Sequence, residues 1–257
     1  MLTYTSQHYS QGNVMNRYND IFELLTEVNF NITRLEEKYE KAKKDESIKD
    51  ILRPLVKTCL EHLRSALEYS AQDIWASYNN CSAKLFFPYG ETEALFKANV
   101  KRNLPKLHEQ RELYNIVESI QPHACGNSWL IELCKQTNFN KHISLGKQVR
   151  ENSKKSVVQI GGLVRMDSDS TVTFKECNYN GMPIGWGKPA VISGDMPTEE
   201  IRRNIAIPIP VTREFKWVEF KFENTEHDTL NLIKKSHHEI SKYINHLRLE
   251  LSKPKYL

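Results

Sequence analysis

The sequence predicts an α+β chain that is mainly helical, with a small antiparallel sheet inserted before a last helix. Apolar residues recur every three or four positions from Asn16 to about Lys44, from Ile48 to Ile74, and again from Glu226 to Leu251, which is the helical period. Between these runs the period changes. The stretches SVVQIGGLVRM, STVTFKE and FKWVEFKF alternate apolar with polar residues and favour β-branched and aromatic types, as half-buried strands do.

In the first helix Ile21, Leu24, Leu25, Val28, Ile32 and Leu35 form the apolar stripe. The second carries Leu52, Leu55, Val56, Cys59, Leu63, Ala66, Leu67 and Ile74 on one side, and Pro54 marks its first turn. Residues 81–108 break the pattern at Pro88-Tyr89-Gly90 and Pro105, leaving room for one short helix. Two shorter helices follow. One ends near Ile120, ahead of Gln121-Pro122, and the other runs from about Asn127 to Lys135; NFNKHISLGKQVRE then begins the next element. In FKWVEFKF the apolar parity switches between Trp217 and Phe220, which predicts a bulge, or a sheet covered on both faces, near Val218-Glu219. The last helix shows a stripe of Leu230, Ile233, Ile240, Ile244, Leu247 and Leu251 that needs a partner, and long antiparallel helices supply one for each other. The expected organisation is a flexible N-terminus (1–14), a helical bundle (15–150), an antiparallel β insertion or cap (155–223) and a C-terminal helix (226–252) that packs back on the bundle.

With 257 residues and 39% apolar content the chain can bury a real core. A formal charge of +4 is mildly basic, so nucleic acid is allowed and not demanded. Five cysteines without a CxxC pair suggest neither a zinc site nor a disulfide framework. No apolar run is long enough for a membrane span, and MLTYTSQHYSQGN lacks a basic-then-apolar leader pattern, so a cytoplasmic location is expected. Signatures of nucleotide, serine-hydrolase and zinc chemistry are missing. His238 and His246 on the last helix stand about 12 Å apart along its axis, too far to share a metal. Neither a cofactor nor a metal is expected.

Three stretches are candidates for a site. In LRSALEY, Arg64 and Glu68 are four apart and share a helix face; the set is either a solvated surface or an inward arginine, held by Glu68, that presents its guanidinium to a phosphate. In QTNFNKH, Asn138 is expected to cap the following element and to place Lys141 and His142 in its first turn, where a helix favours an anion. His142 is then a candidate general base. The plainer reading is a capped helix with a hydrogen-bonded histidine. In NYNGMPIGWGKPAV, Tyr179, Trp186 and Lys188 are candidates to stack a base or grip a partner peptide; the plainer reading is a long hairpin connection whose tryptophan folds back on the sheet.

The order LRSALEY, FFP, IVESIQP and NFNKH resembles a family of bacterial proteins of undefined function whose helical body is similar to the HEPN superfamily. Active members of that superfamily are metal-independent RNases, often toxins or antiviral effectors, and their bundles commonly pair as homodimers. The resemblance implies RNA as ligand, with His142 as base toward a ribose 2′-hydroxyl, Arg64 and Lys141 stabilising the phosphorane, Asn138 orienting the phosphate and Glu68 holding Arg64. It also implies an arginine, often followed by a polar residue, four to six residues before a histidine. None stands before His142. Arg102-Asn103-Leu104-Pro105-Lys106-Leu107-His108 fits the spacing, although one such match arises by chance in a chain of this composition and Pro105 interrupts any helix there. The competing expectation is a non-catalytic binding or scaffold protein that holds a protein partner through the sheet and the Trp186 loop. A small-molecule or nucleotide sensor is a third.

Overall fold

The computed structural model describes residues 16–79 and 85–254; the N-terminal 1–14 stretch and Cys81 lie outside the described residues. The fold is α+β. The helices are α1 (Tyr18–Lys44), α2 (Arg53–Tyr78), α3 (Glu93–Asn103), α4 (Arg111–Glu118), α5 (Pro122–Cys125), α6 (Trp129–His142), α7 (Thr198–Asn204) and α8 (Thr229–Leu251). The strands are β1 (Gln148–Asn152), β2 (Ser156–Ile160), β3 (Val164–Asp167), β4 (Thr171–Phe174), β5 (Asn178–Tyr179), β6 (Met182–Pro183), β7 (Ala190–Ser193), β8 (Val211–Phe215) and β9 (Val218–Phe222). Among the described residues no helix is long and apolar enough to cross a membrane.

The chain divides into two compact units. The described parts of 1–33, 52–146 and 230–257 form a helical unit, and residues 34–51 and 147–229 form a second, strand-rich one. The division falls inside α1.

The helical unit grows from the periodic stripes. Ile21 and Val28 on α1, Leu63, Ala66, Leu67 and Ile74 on α2, and Ile240, Ile244 and Leu247 on α8 are all buried. Each large side chain removed from water in this way contributes about 1.5–3 kcal/mol. Most polar groups inside are paired, as burial demands, with His62 Nδ1 and Ser236 Oγ as exceptions among the described residues. Ser70 and Tyr243 share a hydrogen bond of 2.9 Å, the Phe87 ring meets Tyr243 edge-on at 5.8 Å, and the Arg17 guanidinium lies 3.0 Å from the buried Asp73 carboxylate. Pro54 sits in the first turn of α2, where a missing N–H has no partner to lose.

In the strand-rich unit the antiparallel ladders are β1–β9, β3–β2–β8, β4–β7 and β5–β6. Val158, Ile160, Met166, Ile192, Ile201 and Val211 belong to its core. The end of α1 and the turn after it are closed by Arg150, which donates to the carbonyls of Ala42 in the last helical turn and of Asp45 and Ile48 beyond it at 2.6–2.7 Å, where a helix end favours a cation.

The parity switch in FKWVEFKF has a different cause from the expected bulge. The segment is two strands. β8 buries Val211, Arg213 and Phe215 and pairs with β2, whereas β9 buries Val218, Phe220 and Phe222 and pairs with β1. The chain passes from one ladder to the other at Lys216-Trp217, matched by the turn between β1 and β2 through Ser153 N–H to Trp217 O and Lys216 N–H to Lys155 O, both 3.0 Å.

Candidate functional site

The arrangement begins on α2, where Arg64 and Glu68 stand one turn apart, face inward and pair at 2.5 Å. The side chains are 17% and 21% exposed, so LRSALEY is not a solvated surface. The other Arg64 nitrogen donates to Cys134 Sγ on α6 at 2.7 Å, and the guanidinium carbon lies 4.7 Å from the Tyr89 ring centroid, a cation–π distance. Glu68 uses its second oxygen to accept the Phe87 N–H at 2.6 Å. One ion pair therefore ties α2, α6 and the extended segment 85–90 together.

That segment is fixed from its other side as well. Gln121 is fully buried; its amide donates to Pro88 O and Val117 O, and its oxygen accepts the Gly90 N–H at 3.2 Å. Asn99 on α3 donates to Tyr89 O at 2.7 Å and accepts from Arg102 at 2.9 Å. Arg102 also reaches Asn103 Oδ1 at 3.3 Å, and Asn138 lines the same cavity as Tyr89. Arg64, Tyr89, Asn99, Arg102, Asn103 and Asn138, with the rings of Phe86 and Phe87, line one cavity of about 570 Å³.

Burial works against the Arg64 charge, but Cys134, once its thiol ionises, and Glu68 more than offset it and hold the guanidinium above its ordinary pKa. Burial pushes the Cys134 thiol up to about 11, with Arg64 acting the other way. A thiol of that pKa is protonated at neutral pH, which leaves Glu68 as the anion that matches Arg64. Because the thiolate is the reactive form, iodoacetamide at about pH 8 is expected to alkylate the exposed Cys125 and Cys177 and to spare Cys134 until denaturant is added. Peptide mass spectrometry reads the order; early loss of the Cys134 thiol contradicts this packing.

Gly90 carries a second prediction. A Cβ there would lie 2.4 Å from Phe96 N and 2.8 Å from Leu95 C, both backbone atoms near the start of α3 that cannot turn aside. Gly90→Ala is expected to cost about 1–3 kcal/mol and to shift α3, with Arg102 and Asn103, away from Tyr89. A thermal melt checks the first effect, and loss of ligand binding in protein that is still folded checks the second.

QTNFNKH is not a helix start. Helix α6 begins at Trp129, whose N–H is taken by the Asn127 side chain at 2.9 Å, and continues to His142. Thr137 and Asn140 return hydrogen bonds to the carbonyls of Leu133 and Gln136, so these poor helix formers are accommodated inside the helix. Asn140 then accepts the Gly146 N–H at 2.8 Å and clasps the exit of the chain. Lys141 and His142 lie in the last turn, exposed. At this end carbonyls point outward and favour cations, so the expected N-terminal anion site does not form. Asn138 reaches the cavity, whereas Lys141 and His142 are not among its lining residues.

The third candidate set is spread apart. Asn180 and Gly181, both at positive φ, turn β5 into β6 as a tight hairpin. Tyr179 packs against the core of the strand-rich unit. Trp186 is 66% exposed and donates its indole N–H to Arg203 O at 3.0 Å, so it folds back onto α7. Lys188 lines a separate cleft with Cys177 and Pro189.

Arg64 and Asn138 line one cavity with Tyr89, Asn99, Arg102 and Asn103, while Glu68 holds Arg64 and Gln121 fixes the 85–90 segment from behind. Of the added residues, Arg102-Asn103 had a sequence signal in the spacing to His108 and Gln121 in the IQP run ahead of the short helix. Among the described residues no group of histidine, cysteine and carboxylate side chains is placed to hold a metal ion. No family model, curated protein or solved structure matches the chain.

Proposed function

We propose that the chain is an RNA-directed effector on a HEPN-like helical unit, a metal-independent endoribonuclease acting in bacterial stress or phage defence. The observation that carries this reading is the meeting of Arg64, Arg102, Asn103 and Asn138 on one cavity of about 570 Å³. Two guanidiniums beside carboxamides and aromatic rings suit a phosphodiester and an unpaired base.

In this reading Arg102 and Asn103 hold the phosphate, and Asn138 orients it from α6. His142 lies four residues beyond Asn138 on the same side of the helix. As base it takes the proton of a ribose 2′-hydroxyl, whose oxygen attacks the adjacent phosphorus. The P–O5′ bond breaks and the departing 5′-oxygen takes a proton from water, leaving a 2′,3′-cyclic phosphate and a 5′-hydroxyl. His108, at the HEPN-like spacing from Arg102, is the competing choice for the proton transfers.

The second reading, a binding protein without catalysis, is favoured by one observation: neither His108 nor His142 lines the cavity. End-labelled RNA incubated with the purified protein in EDTA separates the two. Cleavage to cyclic phosphate ends that His142→Ala or His108→Ala abolishes supports the nuclease. Tight binding with intact RNA supports the binding protein, and no binding by folded protein removes both.

A further inference from the structure

The two arginines of the cavity differ in what surrounds them. Arg64 is mostly buried, paired with Glu68 at 2.5 Å, bonded to Cys134 and stacked over Tyr89. Arg102 is exposed at the end of α3, and its partners are the neutral side-chain oxygens of Asn99 and Asn103. The next cation along α6, Lys135, is taken by Glu91 at 2.6 Å. With Arg64 matched by Glu68, one positive charge among the described residues that line the site is unmatched, that of Arg102.

Resting on the proposed RNA reading, we infer that the cavity accepts a single phosphodiester charge, matched by Arg102, and that Arg64 is a positioning residue. Arg64 fixes Tyr89 and the 85–90 segment against α6 and does not itself neutralise the ligand. One phosphodiester brings one negative charge and leaves the site neutral. A nucleoside triphosphate brings several, more than the described lining residues match, so this chemistry selects an RNA backbone over a free nucleotide.

The test is the salt dependence of binding to a labelled oligouridylate, because each phosphate contact on a single strand contributes about 0.7 to the slope of log K against log salt. Arg102→Gln is expected to lower that slope by about 0.7. Glu68→Gln keeps one acceptor oxygen, enough for the Phe87 N–H or for Arg64 but not for both, and removes the matching charge. In protein whose melting temperature shows it still folded, the slope is therefore expected to steepen by about 0.7 and binding to tighten at low salt. ATP, at matched ionic strength, is expected to compete no better than uridine monophosphate. An unchanged slope in either variant, or strong displacement by ATP, overturns the inference while RNA binding stands. Failure of the folded wild type to bind the oligomer overturns the proposed function and this inference together.

Discussion

On the proposed nuclease reading, Arg102→Ala is expected to reduce RNA cleavage by about 10²–10³-fold, the usual effect of removing one preorganised donor at a developing oxyanion. Arg102 has no charged partner of its own, only the Asn99 and Asn103 oxygens at 2.9 and 3.3 Å, so its guanidinium is the group left to meet a phosphate. Lysine is expected to restore part of the binding and little of the rate, since an ammonium brings the charge but not the planar fork. The side chain is exposed, so neither variant should alter the melting temperature appreciably. Single-turnover cleavage beside a thermal melt checks both statements; undiminished cleavage by Arg102→Ala would remove Arg102 from the site.

Arg213→Ala is expected to destabilise the strand-rich unit by about 3–5 kcal/mol, the range seen when one partner of a buried charged network is deleted. The side chain is 8% exposed for the residue as a whole. It donates to Thr198 Oγ1 at 3.1 Å, to Ser156 Oγ and Gly194 O at 3.0 Å, and to Met196 O. One guanidinium thereby joins β8, β2, the start of α7 and the turn after β7. Truncation to alanine leaves those carbonyls and hydroxyls without a donor in a buried place, and an orphaned buried polar group costs more than a made bond contributes. Urea unfolding measures the change, and a loss below about 1 kcal/mol would show that water replaces the network freely.

The α+β class was legible because both periods are strong and segregated along the chain. The stripes on α1, α2 and α8 are the buried faces, and the alternating runs are strands. The end of α6 was not legible, for a physical reason: Thr137, Asn138 and Asn140 have low helix propensity, and a cluster of them reads as a boundary. Thr137 and Asn140 spend their side chains on carbonyls one turn back, which lets the helix run on. The Lys216-Trp217 crossover was visible only as a parity change, because ladder partners far away in sequence, on β1 and β2, decide between a bulge and two strands.

At the site, Arg64 and Glu68 were legible from their spacing on α2. Arg102-Asn103 matched a motif but stood against Pro105, a helix breaker. In the fold α3 ends at Asn103, so the proline lies beyond the helix and obstructs nothing. Tyr89 and Asn99 left no functional trace in local pattern, and Gln121 showed only as part of the IQP run that ends a helix. They matter because the 85–90 segment runs between α2, α3 and α6, and only tertiary structure brings such residues together.

The most direct measurement of the central claim is photocrosslinking of RNA carrying 4-thiouridine to the full chain, with the adducts mapped by mass spectrometry. The account predicts adducts on Phe86, Tyr89 and the peptide carrying Arg102 and Asn103, lost in Arg102→Ala. Adducts confined to the Trp186 loop, or none with folded protein, would contradict it.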